Sequence, residues 1–210
     1  MDRYKIYRDY LIEENKKINL TAITDPREIE LKHFKDSLSI SEYVCGNCLD
    51  IGTGAGFPGI VLKINDDSLN MTLIDLVRKK TDFCNRVIEK LELKNIRAIH
   101  TRAEDYAKEK REVFDTVTSR AVANLSTLCE YALPFLKIGG KFIAMKGPNA
   151  EVEIEEAQKA IETLGGALID VVPIEIEDQK RLIVIIEKVS KTPKKYPRGQ
   201  NKALKNPIGI

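Results

Sequence analysis

Four glycines are concentrated within eight residues of the chain, at Gly52, Gly54, Gly56 and Gly59. The segment that holds them, residues 50–59, follows a short apolar run and leads into a helical pattern. Glycine lets the backbone turn sharply and approach a ligand closely, because it has no Cβ. A simple tight turn would need only one or two glycines. A glycine loop between a strand and a helix is where a doubly wound sheet binds its ligand, so we predict a ligand site here.

The type of ligand does not follow from the glycine spacing alone. The segment matches the dinucleotide pattern GxGxxG from Gly54 onward. Asp75, 19 residues after Gly56, is suited to bind both ribose hydroxyls, which fits any adenosine ligand, NAD included. Pro58 opens the following helix and has no N–H to offer a pyrophosphate. Together with Asp50 at the end of the preceding strand, this favours S-adenosylmethionine (SAM), which carries no phosphate, and leaves NAD as the alternative.

Two further segments follow predicted strands at the same edge of the sheet. Ala103 and Glu104 come after the third strand, where a backbone N–H and a carboxylate could bind adenine, although Glu104 could instead cap a helix. Arg120 ends the fourth strand, as a residue of the site or as an ion-pair partner. Loops at the carboxyl ends of a central sheet are where ligands bind. These residues complete the cofactor site that the strand ends predict.

The fourth strand end also limits the chemistry. It has neither the Asp/Asn-Pro-Pro-aromatic motif that grips exocyclic amines nor the nucleophilic cysteine of cytosine-C5 enzymes. An acceptor atom with an available lone pair would need no base, so we predict no general base and leave the catalytic residue unassigned. His33 and His100 are interpreted as structural. They are far apart in sequence and do not suggest a metal site, so no metal is expected.

Apolar runs and helical patterns alternate along most of the chain, which predicts an α/β fold with a seven-stranded, doubly wound sheet. Two helices at residues 3–16 and 25–38 precede it. The last two strands are joined by a short polar link, so they must pair antiparallel. The predicted strands are residues 48–51, 71–75, 96–100, 114–119, 141–145, 167–172 and 182–187, and the helices between them are residues 59–64, 78–91, 124–133 and 151–164.

The length and the charge distribution suggest one main domain with an additional segment at each end of the chain. The chain has 210 residues, of which 43% are apolar and 31% charged, with a net charge of +2. Residues 188–210 carry seven basic and no acidic residues, so the rest of the chain has a net charge of −5. We expect a helical extension at residues 1–45, a SAM-binding domain at residues 46–188 and a basic tail at residues 189–210. The basic residues predicted to contact RNA are Lys146, Lys194, Lys195 and Arg198.

The start of the chain lacks the apolar run of a signal peptide, and no uncharged apolar stretch approaches the roughly 18 residues of a membrane span. We therefore expect a cytoplasmic protein without membrane contact. The CxxC pattern at Cys45 and Cys48 has no second pair to complete a zinc site and leads into a strand, so it is interpreted as incidental.

Taken together, the motifs resemble one family, the bacterial 16S ribosomal RNA guanine-N7 methyltransferases called RsmG or GidB. The resemblance covers nearly the whole chain. Its motifs are Asn19-Leu-Thr21, His33-Phe-Lys-Asp36-Ser-Leu38, the glycine segment of residues 50–59, Ser119-Arg120-Ala121 and Lys146-Gly147. The tail resembles the basic ending of part of the family, but residues 199–203 depart from the usual glycine–proline spacing.

This resemblance implies a class I methyltransferase fold with an N-terminal helical extension. It also implies SAM contacts at Gly52, Phe57, Ala103, Glu104 and Arg120, and 16S ribosomal RNA or the small ribosomal subunit as partner. Guanine N7 has its own lone pair, which agrees with the absence of a predicted base. We expect a monomer. The alternatives are a methyltransferase with another substrate, a nicotinamide-dependent oxidoreductase and a non-catalytic RNA-binding module.

Overall fold

A seven-stranded mixed sheet forms the centre of the molecule, in the order β3-β2-β1-β4-β5-β7-β6. The computed structural model describes residues 2–120, 123–148, 150–177 and 179–210. The strands are β1 Asn47–Ile51, β2 Asn70–Asp75, β3 Ile96–His100, β4 Phe114–Arg120, β5 Leu136–Lys146, β6 Gly166–Ile176 and β7 Gln179–Lys188. β1 to β5 pair in parallel and β7 pairs antiparallel with both β5 and β6. The predicted fold class and the antiparallel last pair are confirmed.

Helices cover both faces of this sheet. They are α1 Arg3–Ile18, α2 Pro26–Ile29, α3 Asp36–Leu38, α4 Gly59–Asn65, α5 Arg78–Lys90, α6 Ala103–Tyr106, α7 Leu125–Ala132, α8 Ala150–Thr163 and α9 Lys202–Lys205. A π-helical segment, Glu30–Lys35, joins α2 to α3, and short 3₁₀ turns occur at Ser41–Tyr43 and Leu133–Phe135. The part of the chain that the structure describes contains no helix that is both long and apolar enough to cross a membrane.

The predicted second helix is present but is not a regular α-helix throughout. It begins as expected, with the Asp25 side chain accepting from the Glu28 N–H and Pro26 in the first turn. From Glu30 to Lys35 the turns widen into π geometry. Apolar periodicity predicts a helix over these residues, but it does not distinguish a turn of 3.6 residues from a wider one.

The carboxyl ends of β1, β2 and β4 meet at one edge of the sheet. β1 pairs with β2 on one side and β4 on the other, so the direction of strand order reverses between β1 and β4. Ile51 at the end of β1 lies opposite both Ile74 and Ser119. The glycine loop, Asp75 and Arg120 therefore emerge side by side, at the switch point where doubly wound sheets bind ligands.

Two sheet segments differ from prediction. Gly139 and Gly140, which precede the predicted strand of residues 141–145, lie within β5. The register passes from Phe114↔Leu136 to Thr116↔Lys141, so β5 advances five residues while β4 advances two and the extra residues bulge outward. The final hairpin is also longer than predicted, because β6 and β7 continue pairing as far as Ile176↔Gln179.

The terminal segments pack onto this framework. Tyr7 and Leu11 of α1 have no solvent exposure and belong to the core on one face of the sheet, with side chains of α4 and α5. Tyr196, beyond β7, belongs to the core on the other face, and Ala203 of α9 is also buried. The segment predicted as a basic tail is therefore largely folded against the sheet domain. The division into residues 1–45, 46–188 and 189–210 stays a prediction.

Candidate active site

A cavity of about 510 Å³ lies at the switch point of the sheet, within the size range of small-molecule sites. Seven of the nine predicted cofactor residues line it, namely Gly52, Gly54, Phe57, Asp75, Ala103, Glu104 and Arg120. The remaining wall comes from residues that the sequence analysis did not assign to it, among them Thr21, His33, Leu76, Val77, Lys80, Tyr131, Asn201 and Leu204.

Asp75 and the glycine loop hold each other in place. The Gly54 N–H donates to Asp75 Oδ2 at 2.9 Å, and the Val77 N–H donates to Asp75 Oδ1 at 2.8 Å. Gly52 and Gly54 both have positive φ, at 69° and 60°, which favours glycine. Each carboxylate oxygen keeps acceptor capacity beyond its one backbone donor. Asp75 is thus fixed at the cavity wall with room to accept from two further hydroxyl groups.

Asp50 and Gly56, unlike the other predicted cofactor residues, do not line the cavity. Asp50 is fully buried beneath the loop, where Oδ1 accepts from Thr118 Oγ1 at 3.0 Å and Oδ2 accepts from the Gly59 N–H at 3.2 Å. Burial raises the pKa of the Asp50 carboxyl to about 7. A Cβ on Gly56 would lie 2.5 Å from the Tyr7 hydroxyl, so this glycine permits close packing against α1. Both residues shape the loop from the side away from the cavity.

Part of the cavity wall is apolar. Leu76, Val77 and Leu204 line it with side chains that are 57%, 36% and 57% exposed, unusually high for large apolar residues. Glu104 also lines the cavity and is buried; its Oε1 has no hydrogen-bond partner among the described residues, and Arg102 Nη1 lies 3.6 Å from it. A buried acceptor without a donor is costly. An apolar wall beside a carboxylate oxygen that lacks a hydrogen-bond donor fits a base that carries an amino group.

The segment after β7 supplies part of this wall. Asn201 and Leu204 line the cavity, and Asn201 Oδ1 accepts from Arg102 Nη1 at 2.6 Å. The segment is anchored by Thr127 Oγ1, which donates to the carbonyl of Ala203 at 3.0 Å. Its contribution could not be predicted from spacing, because the contact joins residues about 100 positions apart in the chain.

His33, interpreted from the sequence as structural, lies in the cavity wall. Its ring stacks on Phe57 with centroids 4.4 Å apart, and Arg120 Nη2 lies 3.1 Å from its Nδ1. A guanidinium is only a donor, so Nδ1 accepts and the proton resides on Nε2, which donates to Thr21 Oγ1 at 2.9 Å. Burial, reinforced by the Arg120 charge, lowers the pKa of His33 to about 4. The ring is therefore neutral near pH 7.

Arg120 is held by the π-helical segment. Its Nη1 donates to the Lys32 carbonyl at 3.1 Å and to Asp36 Oδ2 at 2.9 Å. In an α-helix the Lys32 carbonyl would accept from the Asp36 N–H, but here that N–H donates to the carbonyls of Leu31 and His33. The wide turn leaves the Lys32 carbonyl available to Arg120. Single π turns within helices often occur at functional sites.

A second cavity, of about 420 Å³, adjoins the first and shares His33 and Arg120 with it. Asp36, Lys146, Gly147 and Arg181 also line it. Lys146 is buried and paired, with Nζ 2.7 Å from the Ala123 carbonyl and 2.6 Å from Glu153 Oε2. Ala121, which completes the predicted Ser119-Arg120-Ala121 motif, lies outside the described residues.

The predicted RNA contacts in the C-terminal segment fall into two groups. Lys194 and Lys195 are exposed, and Lys195 Nζ lies over the Tyr196 ring. Arg198 is instead directed inward, where Nε and Nη2 donate to the carboxylate of buried Glu130. The Arg198 guanidinium, which was expected to contact phosphate, therefore forms an ion pair with Glu130.

The fold and the site define the class of protein. The chain has the class I SAM-dependent methyltransferase fold, which it shares with solved structures of low sequence identity. TrmN from Thermus thermophilus matches with a TM-score of 0.57 at 17% identity, over 74% of this chain and 48% of that one. TYW2 of M. jannaschii, solved in complex with AdoMet, matches with a TM-score of 0.61 at 17% identity, over 75% of this chain and 76% of that one.

The sequence narrows this class to one family. The family model GidB, described as rRNA small subunit methyltransferase G, matches residues 1–184. A ribosomal RNA small subunit methyltransferase G of Clostridium botulinum (strain Eklund 17B / Type B) is 49% identical, over 99% of this chain and 90% of the relative. Its counterpart in Desulforamulus reducens is 51% identical, over 98% and 89%. The chain belongs to the rRNA small subunit methyltransferase G family.

Proposed function

We propose that this protein transfers the methyl group of SAM to N7 of a guanine in 16S ribosomal RNA of the small subunit. The observation that carries the proposal is the pair of adjoining cavities, which share His33 and Arg120 at the switch point of a methyltransferase sheet. Membership of the small-subunit rRNA methyltransferase family supports the RNA substrate. It also disfavours the oxidoreductase and the non-catalytic binding module.

The first cavity is the proposed SAM site. Asp75, already oriented by the Gly54 N–H, would accept from the two ribose hydroxyls. Glu104 Oε1, which accepts no hydrogen bond from the described residues although Arg102 Nη1 lies 3.6 Å away, would accept from the adenine amino group, with Leu76 and Leu204 on the faces of the ring. Bound there, SAM supplies an electrophilic methyl group on a positively charged sulfur.

The second cavity is the proposed site of the target base. Guanine N7 has a lone pair, and the neighbouring O6 can accept from an arginine or lysine donor such as Arg120 or Lys146. Methylation places positive charge on the purine, and the chain supplies a carboxylate nearby in Asp36. His33 adds no charge near pH 7, because its pKa is about 4. The protein's task is then alignment and electrostatic stabilisation, without a general base.

The proposal is tested by incubating the protein with methyl-labelled SAM and either naked 16S ribosomal RNA or purified small subunits, both lacking the modification. We expect label in N7-methylguanine at one position. Asp75→Ala is the matched control, since it should abolish SAM binding measured by calorimetry while leaving the second cavity intact. Absence of label from both substrates would contradict the proposed reaction, and comparison of the two identifies the preferred substrate.

We also propose that the protein acts as a monomer in the cytoplasm. The proposed ribosomal substrate supports the location. Light scattering on the active sample should give the mass of one chain, and a dimer mass would contradict this part of the proposal.

A further inference from the structure

Asp36 places a buried carboxylate oxygen in the second cavity without a hydrogen-bond donor. The residue is 3% exposed, and its Oδ2 accepts from Arg120 Nη1. Its Oδ1 has no hydrogen-bond partner among the described residues, and Arg181 Nε, 3.5 Å away, supplies charge without a hydrogen bond. Leaving a buried charged acceptor unpaired is unfavourable by more than about 1 kcal/mol. A ligand donor in the cavity would remove this cost.

Arg120 and Asp36 together present a donor beside an acceptor. A guanidinium has five N–H groups, and the bonds to Lys32, Asp36 and His33 use three of them. Two N–H groups therefore remain on Arg120, beside an Asp36 carboxylate whose buried Oδ1 has no hydrogen-bond donor. The matching edge of a base must carry an acceptor followed by donors.

Guanine has this order of groups, with the O6 acceptor followed by the N1–H and the 2-amino donors. Adenine has the reverse order, an amino donor followed by the N1 acceptor. We propose that Asp36 selects guanine by accepting from N1–H and the 2-amino group while Arg120 donates to O6. The inference rests on the proposed function, and it assigns the choice of base to one carboxylate.

This arrangement also sets the orientation of the reacting atom. O6 and N7 are neighbours on the same edge of guanine. A donor at O6 from Arg120, which borders both cavities, directs N7 toward the first cavity. The π-helical segment contributes by holding the Lys32 carbonyl, His33 and Asp36 against the same guanidinium.

The test combines a change in the protein with a change in the RNA. The guanine that the wild-type protein labels is replaced by inosine, which keeps O6, N1–H and N7 but lacks the 2-amino group. The wild type should prefer guanine by about tenfold or more in kcat/KM, since a hydrogen bond to a charged group contributes about 1.5–3 kcal/mol. Asp36→Asn should reduce this preference to about threefold or less, with SAM affinity changed less than about twofold.

Glu153→Gln is the control, because it removes another carboxylate near the second cavity, one paired with Lys146. It should keep the full preference for guanine over inosine. A purely structural role of Asp36 in holding Arg120 would lower activity on both bases equally and leave the ratio unchanged, which would overturn the inference. If Asp36→Asn does not fold, the wild-type protein alone still tests the inference. Equal rates of methylation of inosine and guanine by the wild type would overturn it. Absence of any methylation by the wild type would instead reject the proposed function.

Discussion

The Asp50 carboxyl beneath the glycine loop has a pKa raised to about 7 by burial, from an ordinary value of 3.8. The unfolded chain releases this proton near pH 4, whereas the folded protein keeps it to about pH 7. The proton therefore stabilises the folded state most at low pH, and this contribution is lost as the pH rises through the folded pKa. Above that pH, the folded protein contains a buried charge.

We predict that Asp50→Asn changes the pH dependence of stability. Between pH 5 and pH 8 the free energy of unfolding of the wild type should fall by about 2 kcal/mol relative to Asp50→Asn, since one pKa unit corresponds to about 1.4 kcal/mol. Urea unfolding of both proteins at the two pH values measures this difference. A constant difference across the range would show that the Asp50 carboxyl does not titrate there.

Individual site residues were predictable where they follow a strand, and less so elsewhere. Asp75, Glu104 and Arg120 line the cavity because the carboxyl ends of parallel strands meet at one edge. The same rule does not tell which side of the loop Asp50 and Gly56 face, since this depends on packing against Thr118 and α1. Their roles, and that of every residue predicted to contact SAM, stay to be tested by binding measurements.

At the scale of elements, α9 carries the clearest consequence for binding. Leu204 lies on this short helix, lines the proposed SAM cavity and is 57% exposed. Covering it by a base would bury apolar surface, which is favourable by roughly 25 cal/mol per Å². The helix should therefore contribute to affinity for the cofactor.

We predict that Leu204→Ser raises the Kd for SAM about fivefold, corresponding to about 1 kcal/mol of lost burial. Calorimetry with SAM measures the effect. Lys205→Ser, on the same helix but not lining the cavity, should leave the Kd unchanged. Equal effects of the two substitutions would mean that the helix acts through stability and not through contact with the cofactor.

The regular elements were largely predictable, because apolar alternation and helical spacing depend on burial against one sheet. The irregular ones were not. The bulge in β5 arises from its register with β4, and the π-helical segment includes a carbonyl, that of Lys32, which accepts from the distant Arg120. The length of the final hairpin depends on cross-strand pairing as far as Ile176 and Gln179. Each depends on a partner distant in sequence or on turn geometry that side-chain types do not encode.

At the scale of the whole molecule, charge is unevenly distributed, with seven basic and no acidic residues from Lys188 to Ile210. Deletion of residues 189–210 is the simplest test of this segment. The structure makes that deletion ambiguous, because Tyr196 and Ala203 are buried and Arg198 pairs with Glu130. Substitution of exposed lysines separates the electrostatic role from the structural one.

We predict that replacing Lys194 and Lys195 together by alanine weakens RNA binding and lowers its salt dependence. The slope of log K against log salt should fall in magnitude by about one to two, because each phosphate contact releases counterions. Binding to the small subunit or to 16S ribosomal RNA at several salt concentrations measures this. Replacement of Lys16 and Lys94, exposed elsewhere in the chain, is the control, and an unchanged slope in the test pair would place the RNA on another surface.

In the π-helical segment from Glu30 to Lys35, the number of residues is as important for the geometry of the site as their identity. Each residue of an α-helix turns the chain by about 100°, so deleting one and restoring regular turns would rotate everything beyond it by that angle. Asp36 and His33 could then no longer both meet Arg120, even though every side chain of the site were kept. A deletion of one residue here would therefore abolish the site, whereas many substitutions would only weaken it.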